Sequence, residues 1–355
     1  MMWIKKLLLI LCLCSVCQAA QIIRYVDPDA PGPTHDGTSW NDAYLSLIAF
    51  DAGEATDLAG AGNYMTVYCR SSSGTQDTTQ ATIAGWTTSA TSYIEIIGAD
   101  FPADGIFDAT KYVLALTNDN SLEIYEEFVI VRKLQIQATT TTGESDAIFI
   151  NNIGATNHII IDSCIIKGIS AGSGHSMGIY GVDAQTIVDI YNCTIYGFKS
   201  GGDSGFAAIW FSGLTANIYN CTLYGNYYGV NRTAGAVTVK NCAVGNNTND
   251  FNGTITMDYI VSDDDHSGDC ANYHAFPTNG ADDWSLDFTT PGSDFSLLAT
   301  AANLLDDGLA DVFNEDDDII DTARPQGATW DIGAHEHVSV APPAGGGQLI
   351  MIQEF

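Results

Sequence analysis

Glu144, Asp146, His175, Lys199 and Asp203 between them supply a proton donor, candidate bases and a cation. A lyase needs a base for the proton alpha to a carboxylate and a cation to stabilise the enolate. A hydrolase of the two-carboxylate kind needs an acid paired with a base or nucleophile, which Glu144, Asp146, Asp183 and Asp203 could furnish. Lys199 and Asp203 share the segment GFKSGGDSG (197–205), and the other three occupy equivalent loops of neighbouring repeats. All five could line one cleft. The competing reading is five solvated loop residues, as such residue types are on most surfaces.

Two acidic runs offer oxygen ligands. SDDDHSGD spans 262–269, and NEDDDIID (314–321) places Asn314, Asp316 and Asp318 at alternate positions, a donor set suited to Ca2+. Neither run has the Gly-containing loop and terminal Glu of an EF-hand. An acidic surface loop is the preferred reading of both runs, and no cofactor is required.

The elements that position these groups are written in a repeat. IIIDSCIIKG (159–168), VDIYNCTIYG (188–197), ANIYNCTLYG (216–225) and VTVKNCAVGN (237–246) superpose on Cys164, Cys193, Cys221 and Cys242 without a gap. These cysteines lie 29, 28 and 21 residues apart, a solenoid period. Apolar residues alternate before and after each cysteine, so each copy is two short strands with one buried face. The alternation slips at Ser163, Asn192, Asn220 and Asn241. Asn tolerates the left-handed backbone of a sharp corner, and stacked Asn side chains can bond along the axis. The cysteines are best read as a column of small apolar core residues, with disulfides the alternative; the pairing of Cys69 and Cys270 is open. Third strands are expected around AIFIN (147–151), MGIYG (177–181), AAIWF (207–211) and YGVNR (228–232).

Strand, Asn corner, strand, with the Asn in a ladder, resembles the right-handed parallel β-helix of the pectin-lyase-like superfamily. The phrase YVDPDAPGPTHDGTSW (25–40) resembles the leading segment of many secreted members, and ARPQGATWDIGAHE (323–336) resembles their RP…DIGAYE terminus, with His335 in place of Tyr. The expected fold is therefore all-β, with three-strand coils, a short N-terminal helical cap and a C-terminal capping segment. The expected divisions are a signal peptide (1–20), leading segment and cap (21–62), β-helix (63–262), loop-rich cap (263–337) and flexible tail (338–355). A cap helix should begin near Ser39 or Asn41. The resemblance implies a polysaccharide lyase or glycoside hydrolase. However, the paired aspartates, Gly-His-Gly and Arg-x-Lys of galacturonan hydrolases are not found, nor is the Arg beside an Asp cluster of calcium-dependent pectate lyases. No catalytic residue is carried over.

Sugar binding has a basis in the residues themselves. Tyr191 and Tyr219 share one outward position of the repeat, Tyr196 and Tyr224 another, and Trp210 and Tyr180 lie near the third strand. Aromatic faces at coil spacing suit stacking on an extended glycan. Tyrosine pairing across exposed strands is the plain alternative.

Composition narrows the setting. The start, MMWIKKLLLILCLCSVCQAA, reads as a secretory signal, with two lysines, a short apolar run and small residues at its end. It fits a bacterial, secreted or cell-surface protein without membrane insertion. A formal charge of −31 excludes nucleic acid as a natural partner, because phosphate binding needs the opposite sign. The expected function is binding, and on the stronger reading cleavage, of an extracellular or cell-surface polysaccharide. A non-catalytic adhesin or surface structural protein is the alternative; a viral receptor-binding spike is disfavoured by the signal.

Overall fold

The computed structural model describes residues 20–151, 157–200, 204–266, 268–270, 272–275, 284–309 and 317–338. The signal and tail fall outside them, apart from Ala20 and Val338, as do Asp203, Asn314 and Asp316.

The chain winds into a right-handed parallel β-helix whose coils present three faces. On the first face, like residues stack in a column running Ile22, Met65, Ile94, Val129, Ile159, Val188, Ala216 and Val237. The second face stacks Leu114, Ile136, Ile166, Ile195, Leu223 and Val244. The third stacks Ala81, Leu122, Ile148, Ile179, Ile209 and Val230. β-Branched side chains dominate because they pack well on a pleated surface stacked in register. The three columns meet in one continuous apolar core.

The corner between the first two faces is left-handed at Lys133, Ser163, Asn192, Asn220, Asn241 and Tyr259, with φ between 51° and 54°. Asn241 Nδ2 donates to Asn220 Oδ1 at 3.1 Å, joining the last two amides of the ladder. The four repeat cysteines are free and fully buried beside it. Cys164 N–H reaches Cys193 Sγ at 3.4 Å, and Cys221 N–H reaches Cys242 Sγ at the same distance. Each thiol in turn donates to the carbonyl two residues before it. Cys69 and Cys270 are also buried and free.

The solenoid begins earlier than the sequence pattern indicates. Strand Ala20–Val26 pairs in parallel with Asn63–Cys69, so the leading segment already contains a rung. The cap helix also starts later than expected. It runs Leu47–Glu54 with Ser46 as its N-cap, and Asp57 caps a short second helix, Leu58–Ala61. Asp77 accepts from Leu47 N–H at 2.8 Å and from the Tyr112 hydroxyl at 3.0 Å, tying the cap to the barrel of coils. Two orphan donors at a helix start are thus met by a side-chain acceptor and a cap hydroxyl.

The C-terminal segment lies against the second face. Trp284, Phe288, Phe295, Leu304 and Ile332 form a second apolar cluster with Ile165, Tyr196, Ala243 and Val261. The cluster is held by Arg324, fully buried, which donates to Asp331 O and Gly333 O at 2.9 Å and pairs with Glu336 at 3.3 Å. Burial pushes the neighbouring His335 imidazole down to about 4.

That cover corrects the expectation for Tyr196 and Tyr224, and burial on the first face corrects it for Tyr191 and Tyr219. Tyr196 is buried under Phe295, and half-buried Tyr224 packs between Phe295 and Trp284, each with ring centroids 5.4–5.8 Å away. Tyr191 and Tyr219 are 4% and 7% exposed. They stack in register on the first face. Positions that alternate outward from the core are open to solvent only where nothing packs on them.

Candidate functional site

The third face and the bend leading into it carry a cavity of about 280 Å³ lined by Glu144, Asp146, His175, Met177, Tyr180 and Trp210. Its position follows from two long strands, Gln135–Glu144 and Ile165–Gly181, that stay paired around the bend, with a register shift between Ser170 and Ser173. Gly143 (φ +90°) lies directly beneath Gly174, and a side chain at 174 would meet Gly143 O at 2.0 Å. Close approach of backbone therefore demands glycine there. The next residues, Glu144 and His175, stack one above the other at the cavity mouth, both exposed. On the following coil Gly205 leaves room for the imidazole, since a Cβ there would lie 2.4 Å from His175 Cδ2.

Asp146 forms the floor and is 6% exposed. Its Oδ1 accepts from Met177 N–H at 2.9 Å, and its own N–H donates to Asn120 Oδ1 at 3.1 Å. Burial pushes its carboxyl up to about 7; Glu144 and Glu123 add to the rise and the Met177 N–H opposes it. Desolvation disfavours the charged form, so this acid keeps its proton well above the ordinary carboxylate range. Burial, and then Asp146 and Glu144, push the Tyr180 phenol up as well.

An aromatic run crosses the cavity along the coil axis. Tyr125, Phe149, Tyr180, Trp210 and Tyr228 follow one another with centroids 5.5–6.5 Å apart. Phe149, Tyr180 and Trp210 are direct register partners, each one residue after a core isoleucine. The dipeptides Ile148-Phe149, Ile179-Tyr180 and Ile209-Trp210 carry that signal in the sequence, although Phe149 and Tyr125 were not singled out from it.

Of the five residues expected to share a cleft, Glu144, Asp146 and His175 meet. Lys199 is exposed and is not part of the cavity lining. Asp203 lies outside the described residues. No Lys or Arg is among the six lining residues.

The acidic runs are engaged internally. Asp318, 1% exposed, accepts from the N–H groups of Ile320, Thr322 and Glu336 at 2.7–2.9 Å, an anchor of the C-terminal cap. Asn314 and Asp316 lie outside the described residues; among the described residues no group of three or more His, Cys, Asp or Glu side chains is placed to hold a metal ion. In the 262–269 run, Ser262 donates to buried Asp250, and Asp263 accepts from Asn246 N–H at 2.7 Å.

No protein-family model and no curated protein matches this chain. Among solved structures, a crystal structure of a pectate lyase, Pel9A, is similar to it with a TM-score of 0.39 and 16% identity, covering 90% of this chain and 97% of that one. Among the described residues no helix is long and apolar enough to cross a membrane.

A second feature, on the first face, was not anticipated from the sequence. His158 Nε2 meets Asp189 Oδ2 at 2.6 Å, and Asn217 Nδ2 donates to Asp189 Oδ1 at 2.8 Å. The imidazole borders a groove of about 230 Å³ with Tyr93, Phe128, Ile130 and Ile160. No carboxylate is among the residues lining this groove, so the third-face cavity is the better site.

Proposed function

We propose that this protein is a secreted polysaccharide-binding enzyme that cleaves glycosidic bonds on its third face, with Asp146 as proton donor. One observation carries the reading: a buried carboxyl, pushed up to about 7 by its desolvation, lies in a cavity flanked by Tyr180 and Trp210. Sugar C–H faces stack on such rings. Asp146 would protonate the leaving oxygen, and Glu144 or His175, at the same mouth, would take a proton from the attacking water. An enolate-forming lyase is less well supported, because none of the six lining residues is a Lys or Arg.

Incubating the purified protein with a panel of glycans tests this. New reducing ends without unsaturated, ultraviolet-absorbing products support hydrolysis; unsaturated products would replace it by elimination. A second reading, a non-catalytic adhesin, is favoured by the aromatic run, which extends beyond the acid cavity to Tyr125 and Tyr228. Retention on a glycan column with no product would favour it.

A further inference from the structure

We infer that the third-face site takes a glycan whose rings carry no acid groups, an uncharged chain rather than a polyuronate. The inference rests on the polysaccharide reading above and deepens it. Glu144 and Asp146 line the cavity, and Glu123 occupies the same outward column as Phe149, one coil before it. Of the six lining residues none is Lys or Arg, and His175 is the one basic side chain set against the two carboxyl groups. Lys199 projects from the neighbouring loop as an exposed residue outside the lining. The protein as a whole carries a formal charge of −31, so its long-range field repels polyanions as well.

A chain with a carboxylate on every ring would bring one anion per residue along the Phe149–Tyr180–Trp210 track. There each would face carboxyl groups in a partly dehydrated cleft, where like charges repel more strongly than in water. An uncharged sugar meets the same groups differently. Its hydroxyls donate to the Glu144 and Asp146 oxygens, while its C–H face rests on the indole of Trp210 and the phenol of Tyr180. The same side chains are therefore acceptors for one polymer class and a barrier to the other.

The test uses the full secreted chain and a matched pair of polymers with one backbone: polygalacturonate and its fully methyl-esterified form. Neutral glucans and xylans are run beside them by affinity electrophoresis and titration calorimetry, in EDTA and again with Ca2+. The uncharged polymers should bind about tenfold or more tightly than the polyuronate, and added salt should narrow the gap by screening. Glu144→Gln should narrow it as well, without unfolding the protein, since Glu144 is exposed. Equal or tighter binding of the polyuronate, with or without Ca2+, overturns the inference while leaving the polysaccharide reading intact. Absence of binding to every polymer overturns that reading itself, so the two failures are distinct.

Discussion

Met177 donates its backbone N–H to Asp146 Oδ1 at 2.9 Å across one coil step, fixing an otherwise desolvated carboxyl at the floor of the third-face cavity. The bond orients the acid and the surrounding burial keeps its proton on. Both follow from stacking one rung on the next.

Asp146→Asn should lower kcat by about 10²- to 10⁴-fold, the usual contribution of a positioned acid. In the native protein, activity should fall as pH rises through about 7, because the donor must be protonated. The stability sign runs the same way. The folded value lies above the ordinary 3.8, so the proton stabilises the fold, and this contribution is lost as pH rises from about 4 to 7. Asp146→Asn should therefore melt higher than the native protein at pH 8 while having lost activity. An unchanged pH–rate profile in the variant would remove Asp146 from the mechanism.

Gly205→Ala tests His175. The added methyl would sit 2.4 Å from Cδ2 of the imidazole and must displace it. If His175 serves the reaction, kcat should drop about tenfold with little change in KM. Full retention of kcat would make His175 a bystander at the cavity mouth.

The tyrosines divide into two groups by what covers them. Trp210→Ala and Tyr180→Ala should each weaken glycan binding about tenfold at nearly unchanged melting temperature. Tyr196→Ala should do the reverse. It costs about 3 kcal/mol of stability by opening a hole beneath Phe295, with affinity retained. Calorimetry and thermal melts on the same four proteins discriminate the two outcomes.

Asn241 joins the ladder to the C-terminal cap. Its side chain accepts from Leu309 N–H at 2.8 Å and donates to Leu309 O at 2.7 Å, and its carbonyl accepts from Gly333 N–H at 2.9 Å. Asn241→Ala removes the side-chain bonds at a left-handed position and should cost about 2 kcal/mol. Limited proteolysis should then cut first in the 304–336 segment; unchanged resistance would show that the apolar cluster alone holds it.

On the first face, the hydrogen bond that His158 donates to Asp189 pushes its imidazole up, against partial burial. A raised histidine stabilises below its unfolded value, and that contribution is lost as pH rises through the folded one. Asp189→Asn should lower the His158 midpoint in an NMR titration and flatten the pH dependence of stability around it.

The repeat was legible because stacking imposes it. Apolar alternation around Cys164, Cys193, Cys221 and Cys242, with Asn at the slip, encodes two strands and their corner in any coil of this kind. The same stacking accounts for the meeting of Glu144 and Asp146 with His175, which lies about one coil later in the chain. The strand Ala20–Val26 was missed because its only local signal is a short apolar alternation inside a segment that otherwise reads as a leader. Ser46 was missed as a cap because several polar residues compete for that place, and only docking onto Asp77 selects among them.

The order of the coils and the inward or outward aim of each side chain are local properties, set by a two-residue period and repeated every turn. Which outward residues meet solvent is not local. Tyr196 and Trp210 both face away from the core, yet one lies beneath a segment that begins almost ninety residues later and the other borders an open cavity. That choice depends on where the C-terminal cluster finds enough apolar surface to bury, and only the folded chain brings those two stretches together.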